Sequence, residues 1–374
     1  MLQNKIYQNF ILEIFKTFFV ILFGLSAIAL TVRAVAFLEL IVDNGYPVYT
    51  YFKFSLLNLF GIIPKFIPLS FLLSLTLFIL RHIRDSELII LWTSGVKKIA
   101  VVNLFLVVSF IIFIFYLILT TLLTPLALNK SRQLLSQEQI NSFLPTVRAQ
   151  QFNDSYRGFT FVVGKKINNE FEDIFLNDKG NNLKNLSSNI SSVNDTTIVA
   201  ENGIFENKKL FLFNGQIIST KETETENEVF KFEQLSIDLG DLSTTTIKKP
   251  KLQETSTIKL LSCFSKEKSI MDICNEETKK EILPTLNRRI IMPLYIPVLS
   301  LICSLLLIKT KKNIFKEISI FLLGFSLLIG IEIIVRYTGL NNIMRIGFMF
   351  IPFILIILTY IFLIYKFSKE TIAK

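Results

Sequence analysis

Six stretches of the chain stay apolar for close to the length that crosses a lipid bilayer, about 20 helical residues. No other feature limits the fold as severely. They lie near residues 15–38, 58–80, 99–123, 290–308, 318–335 and 346–365. In hydrocarbon every backbone N–H and C=O must find its partner within the protein, so such runs become helices. Three precede a long polar stretch and three follow it. The expected fold is therefore a polytopic α-helical membrane protein, six transmembrane helices arranged 3 + 3, with an extramembrane β domain inserted between the halves.

Three of the runs carry a charge. Arg33 sits near one end of the first, Lys65 lies between Pro64 and Pro68 in the second, and the fifth holds Glu332. A charge facing lipid is costly, so these spans should pack against protein or border a polar cavity. Glu332 precedes Arg336 by four residues, and a same-face ion pair between them is the simplest expectation. The first run continues past Ser26-Ala27-Ile28-Ala29 to Val42 and further spans follow it, so it reads as an uncleaved span rather than a secretory signal.

Basic residues orient the spans. Lys5 and Lys16 flank the start, Arg81, Arg84, Lys97 and Lys98 separate the second and third runs, and Lys309, Lys311, Lys312 and Lys316 separate the fourth and fifth. Lys366, Lys369 and Lys374 close the chain. In a six-span arrangement all four groups share one side, which by the positive-inside rule is the cytoplasm. Both termini are then cytoplasmic, and residues 125–289 lie outside, in the periplasm of a double-membrane bacterium. This placement also accounts for much of the net charge of +10, so no nucleic-acid partner is read from it. His82 is the sole histidine, and three scattered cysteines give neither a zinc cluster nor a disulfide framework. Cys263 and Cys274 share the outer side; a bridge between them competes with two free thiols, and free thiols are the expectation.

From 126 to 255 the composition turns polar and the apolar runs shrink to strand length. Phe159–Val163, Phe171–Leu176, Thr196–Ala200, Leu210–Phe213 and Gln216–Ser219 read as strands, with Asn202-Gly203 as a turn and Asn214-Gly215 between the last two. The stretch Phe230–Leu239 alternates with one slip at Glu233-Gln234, which a β-bulge would explain. Short strands with no helical pattern between them indicate a sandwich, jellyroll or open barrel. The tract 181–195 is polar enough for a loop. After 255 a helical pattern (Ile258, Leu260, Leu261, Phe264) leads back to the membrane. The resulting domains are 1–125 (spans one to three), 126–255 (β domain), 256–289 (helical connector) and 290–374 (spans four to six). Two apolar sheet faces could close as a core or leave a groove for an acyl chain; alternation is the same in both, and Phe161, Phe211 and Phe213 are the candidates for lining such a groove.

The stretch RDSELIILWTSGVKK, residues 84–98, is too short to span and stands between two spans. Asp85 or Ser86 can accept from the first free amides of a helix, and Glu87 lies against its positive end. Leu88, Leu91 and Trp92 make an apolar stripe, Gly95 can end the helix in the left-handed conformation, and Lys97 and Lys98 follow. This defines a helix within 85–95, either lying on the membrane surface or coupling the spans to a cytoplasmic motor. The second reading fits what the chain lacks: no GxxxxGK[ST] phosphate loop and no nucleophile–histidine–acid set occur in it, so the energy for any work comes from a partner.

Ser86-Glu87-Leu88 followed by Gly95, together with FEDIFLND, TTIVAENGIFENKKLFLFNG and LNRRIIMPLYIPVLS in that order, resembles the lipopolysaccharide export permeases LptF and LptG over essentially the whole chain, with LptF the closer. The resemblance implies a periplasmic β-jellyroll and a heterodimer of LptF with LptG on two copies of the ATPase LptB. It also implies extraction of lipopolysaccharide from the inner membrane and its transfer to a periplasmic bridge of LptC and LptA. By resemblance the coupling residues are Ser86, Glu87, Leu88, Leu91, Trp92 and Gly95, and Arg33 matches a basic position at the lipid entry, against the plainer reading of an interfacial arginine. The sequence departs from the family at Thr285, where an acid often stands. No catalytic residue, metal ligand or cofactor is implied. The competing functions are a permease of another envelope-lipid or lipoprotein ABC exporter, a membrane-bound envelope-lipid enzyme, and a passive scaffold.

Overall fold

The computed structural model describes residues 2–42, 46–139, 147–156, 159–167, 169–179, 193–206, 209–221, 227–238, 251–263, 274, 276–308 and 314–372. Most of the expected loop at 181–195, Phe264, and Lys309, Lys311, Lys312 and Lys374 lie outside them.

All six spans form helices long and apolar enough to cross a membrane. Helix α1 (Leu2–Phe37) and a short α2 (Glu39–Val42) precede α3 (Val48–Arg84), which runs without a break through Pro64 and Pro68. After the short α4 (Glu87–Thr93) comes α5 (Lys98–Ile118), which passes through a π-helical turn at Leu119–Leu123 into α6 (Thr124–Gln139). Beyond the β domain stand α7 (Thr257–Ser262), α8 (Glu276–Ile290), α9 (Tyr295–Ser304), α10 (Ile314–Tyr337) and α11 (Asn342–Ile372). The spans at 48–84 and 278–307 are mostly buried inside the chain, whereas those at 5–42, 315–337 and 343–370 expose most of their apolar surface. Of the three spans that carry a charge only the second is mostly buried, and its Lys65 side chain is itself exposed. The fifth span meets its charge differently from the expected i,i+4 pair: Glu332 accepts from Arg288 of α8 at 2.6 Å. Cross-helix pairing offsets the carboxylate's charge, although both side chains keep about 40% of their surface exposed.

By contacts the chain divides into two units, one of 1–32, 57–129 and 251–374, the other of 33–56 and 130–250. Within the second, the ends of the first two spans hold each other through Tyr51 Oη donating to the Ala34 carbonyl at 3.0 Å and a Phe37–Phe54 edge contact.

The inserted β domain is a six-stranded antiparallel sheet, β1 (Asn153–Tyr156), β2 (Phe159–Ile167), β3 (Glu170–Asp178), β4 (Val193–Glu206), β5 (Lys209–Lys221) and β6 (Asn227–Asp238), in the order β1-β2-β3-β4-β5-β6. Each described strand pairs with its neighbour in sequence, a meander. Two expectations change here. Asn202-Gly203 is no turn: β4 runs straight through it, and β5 likewise runs through Asn214-Gly215. The slip at Glu233-Gln234 is no bulge either, because β5 and β6 keep one register on both sides of it.

These observations share one cause. Gly164, Asp173, Glu201, Asn214 and Glu233 occupy one row across five strands, and the cross-strand pairs they would make are missing while the pairs on either side stay in register. At this row the alternation of every strand slips together. Core-facing residues come three apart instead of two: Phe171 and Ile174, Ala200 and Gly203, Phe232 and Leu235. Asp173 (φ 53°) and Asn214 (φ 50°) take the left-handed conformation that Asx residues tolerate best. The neighbouring glycines serve close approach: a Cβ on Gly203 would meet Ile174, and one on Gly215 would meet the Val199 carbonyl and the Phe232 ring. The core on the inner face joins Phe161, Val163, Phe171, Ile174, Leu176, Ile198, Leu210 and Leu212, with Phe161 and Phe171 edge to face at 5.9 Å. Lys166 also reaches this side, donating to the Val147 carbonyl at 3.0 Å, and burial holds its ammonium below the usual lysine range.

Candidate functional site

Helix α4 exists because both of its ends are made by backbone turns. At the first, Ser86 adopts φ 62°, a left-handed conformation uncommon for serine. Its side chain caps nothing; its carbonyl accepts the amides of Ile89 and Ile90. The expected side-chain cap from Asp85 or Ser86 is thus replaced by a sharp corner between α3 and α4. At the second end Gly95 has φ 92°, its amide donates to the Trp92 carbonyl, and the Val96 amide donates to the Leu91 carbonyl. That pair of bonds is a Schellman motif, with buried Val96 and Leu91 supplying its apolar contact.

Which way the helix faces is settled by packing. Leu88 is fully buried and Leu91 nearly so, both in the core that the spans share. Their stripe therefore anchors α4 to its own chain, and plugging it into a partner's groove would tear it out of that core. The apolar side chains turned outward are Ile89 and Ile90, 50% and 65% exposed. Sequence reasoning missed both, because in a seven-residue helix flanked by spans the stripe that packs inward cannot be told from the one that docks. Trp92 is half-buried, and Ser86, Glu87 and Gly95 are exposed.

Both ends of α4 are tied electrostatically. Around its start, Glu87 Oε2 and Glu13 Oε2 lie 3.2 and 3.4 Å from His82 Nε2, and Arg81 bonds Glu13 at 3.0 Å. Beyond its end, Lys98 donates to Glu370 of α11 and to the Leu307 carbonyl at 3.1 Å, with its ammonium 4.5 Å from the Trp92 ring centroid. A cation held over an indole and on a carboxylate at once is a strong anchor. Displacing α4 therefore pulls on α1, α3, α11 and the turn at Leu305–Leu307 that follows α9.

The lipid-lining candidates do not form one set. Phe161 is buried in the inner core of the sheet, whereas Phe211 and Phe213 are half-buried on the opposite face from Leu210 and Leu212. The slip row at Asn214 does not bring them round, since both precede it. Arg33 is exposed on α1.

Where the chain returns from the β domain, Arg289 of α8 is 5% exposed and makes four hydrogen bonds, to the carbonyls of Leu252, Gln253 and Thr255 and to Thr257 Oγ1. Thr257 Oγ1 in turn donates to the Thr121 carbonyl at 2.9 Å, inside the π-helical turn, where the usual helical acceptor pattern is broken. Thr120 of the same turn donates to the Arg289 carbonyl. Next to this node Cys263 and Cys274 form a disulfide, contrary to the expected free thiols. Packing of Leu260 and Cys263 against Ile282 and Leu286 brings their Cα atoms to 5.5 Å, within bridging range.

A comparison with curated proteins gives no match. Among known families, the model of the lipopolysaccharide export system permease LptF/LptG matches residues 10–366, which takes in all or nearly all of each of the six spans, α4 and the sheet. A match of that extent, on a chain of six spanning helices with a β domain between the third and fourth, shows that this protein belongs to the LptF/LptG permease family.

Proposed function

We propose that the chain is a permease subunit of the ABC transporter that extracts lipopolysaccharide from the inner membrane and passes it to a periplasmic bridge. In this reading it is not an enzyme, and two copies of LptB supply the ATP hydrolysis. The sister permease, LptG if this chain is LptF, completes the membrane part, and LptC and LptA receive the lipid. The positive-inside distribution puts both termini and α4 in the cytoplasm and the sheet in the periplasm. Arg33 engages a lipid phosphate through its guanidinium fork, and the β domain takes the acyl chains.

One observation carries the coupling part of this reading. Helix α4 is anchored by Leu88, Leu91 and Lys98, yet presents Ile89, Ile90 and half-exposed Glu87 outward. Apolar side chains beside an acid suit a groove with a basic residue on its rim, and the anchors pass motion to the spans. The test is gentle purification of the tagged chain, with mass spectrometry of what accompanies it, beside Glu87→Lys and Ile90→Asp variants. An ABC ATPase and a similar-sized permease should be recovered, with the ATPase depleted in both variants. A preparation without an ATPase, or one that keeps it in both variants, would overturn the coupling reading.

A further inference from the structure

We infer that His82 is a positioning residue for Glu87: it orders the carboxylate of α4 so that one oxygen is held and the other is presented to the ATPase. The inference rests on the coupling reading above. His82 is the only histidine of the chain, lies in the last turn of α3, and its side chain is 4% exposed.

The ring has little freedom. Phe10 and Phe78 pack against it with centroids 5.0 and 4.0 Å away. Its Nδ1 is 2.9 Å from the Phe78 carbonyl. A carbonyl only accepts, so Nδ1 donates there and the orientation of the ring is set. Nε2 is thereby aimed between Glu13 Oε2 of α1 and Glu87 Oε2 of α4, within ion-pair distance of both; with Nδ1–H on the carbonyl, it is the imidazolium, which carries an N–H on each nitrogen, that attracts them. Arg81 occupies the other oxygen of Glu13, at 3.0 Å, and reaches Asp85 at 3.8 Å. Glu13 and Glu87 thus share the ring, with Glu87 the nearer, and Glu13 has Arg81 as well.

A carboxylate on an exposed helix normally samples several rotamers, and a partner that binds it must freeze them at a cost in side-chain entropy. Ordering the side chain beforehand removes much of that cost from the binding step. Glu87 remains 54% exposed, so its second oxygen stays within reach of a partner's base. The same ring joins α4 to α1, giving the helix a further tie besides Leu88, Leu91 and Lys98. A histidine that merely filled the core would need no carboxylate on Nε2, let alone one from each of two helices.

The experiment is a double-mutant cycle on the full chain, purified in detergent with its sister permease, titrating the ATPase subunit onto it. The variants are His82→Leu, His82→Gln, Glu87→Gln and the two doubles. Glu87→Gln and His82→Leu should each weaken ATPase binding about three- to tenfold, as the loss of side-chain ordering implies. His82→Gln, whose amide N–H can still reach Glu87, should lose less. In the Glu87→Gln background His82→Leu should change binding less than about twofold, because a residue acting through Glu87 has nothing left to position. Effects that multiply, or a His82→Leu variant that binds as tightly as the parent while Glu87→Gln does not, would overturn the inference alone. Unchanged binding in Glu87→Gln would overturn the coupling reading and this inference with it. If His82→Leu is not monodisperse, His82→Met takes its place in the same cycle, since it also fills the space of the ring without an N–H.

Discussion

Replacing Arg289 by methionine should release the connector that follows the β domain. The guanidinium bonds four acceptors of residues 252–257, three of them backbone carbonyls. A hydrogen bond from a charged donor contributes about 1.5 to 3 kcal/mol, so the gross loss is roughly 6 to 12 kcal/mol. Against it stands the desolvation of a guanidinium that is only 5% exposed, a cost of several kcal/mol that the methionine no longer bears. The net destabilisation of the docked connector should be about 3 to 5 kcal/mol, the range found when one partner of a buried charged network is removed. It should act locally, because Leu260, Cys263, Ile282 and Leu286 form a small cluster of their own. Amide hydrogen exchange can read it at Leu260, whose N–H donates to the Ser256 carbonyl at 3.1 Å. Exchange there should quicken by at least a hundredfold in Arg289→Met, less in Arg289→Lys, and stay unchanged at Leu212 in the sheet. Protection at Leu260 within twofold of the parent would refute the assignment of the connector's stability to this side chain.

Gly95→Ala should destabilise α4 by about 1 kcal/mol and Gly95→Asn by less, since nothing crowds a Cβ there and only φ 92° opposes it; exchange of the Val96 amide measures both. Gly215→Ala should unfold the sheet at markedly lower denaturant than Asn214→Gly. Its Cβ would press on the Val199 carbonyl, whereas Asn214→Gly only relieves a left-handed φ, and tryptic resistance of the β domain ranks the two. Serine at both Cys263 and Cys274 should cost the connector about 3 kcal/mol, from reopening a loop of sequence separation 11. Limited proteolysis with and without reductant should give the same cleavage for the reduced parent and the variant.

The six spans were legible from sequence because a bilayer imposes length and apolarity residue by residue, and neither depends on what else is nearby. The ends of α4 were half legible. Gly95 announced itself by residue type, but Ser86 signals a side-chain cap and instead turns the backbone, a choice made by how α3 meets α4. The partner of Glu332 was not legible, because Arg336 and Arg288 suit it equally in charge and only the packing of α8 on α10 brings Arg288 within 2.6 Å.

The β domain shows the division most sharply. Period-two alternation identified strands in it, and the slip at Glu233-Gln234 was visible in the letters alone. That Gly164, Asp173, Glu201, Asn214 and Glu233 fall in one row is decided by register, a relation between strands that no single strand contains. The same relation turned two Asn-Gly pairs from turn signals into mid-strand residues and put Phe161 on the opposite face from Phe211 and Phe213. So the chain's own letters determined that it crosses a membrane six times and carries a β insert. Which side chains of α4 point away from the chain, and which of the sheet's phenylalanines lie in its core, were decided by what the other elements were packed against.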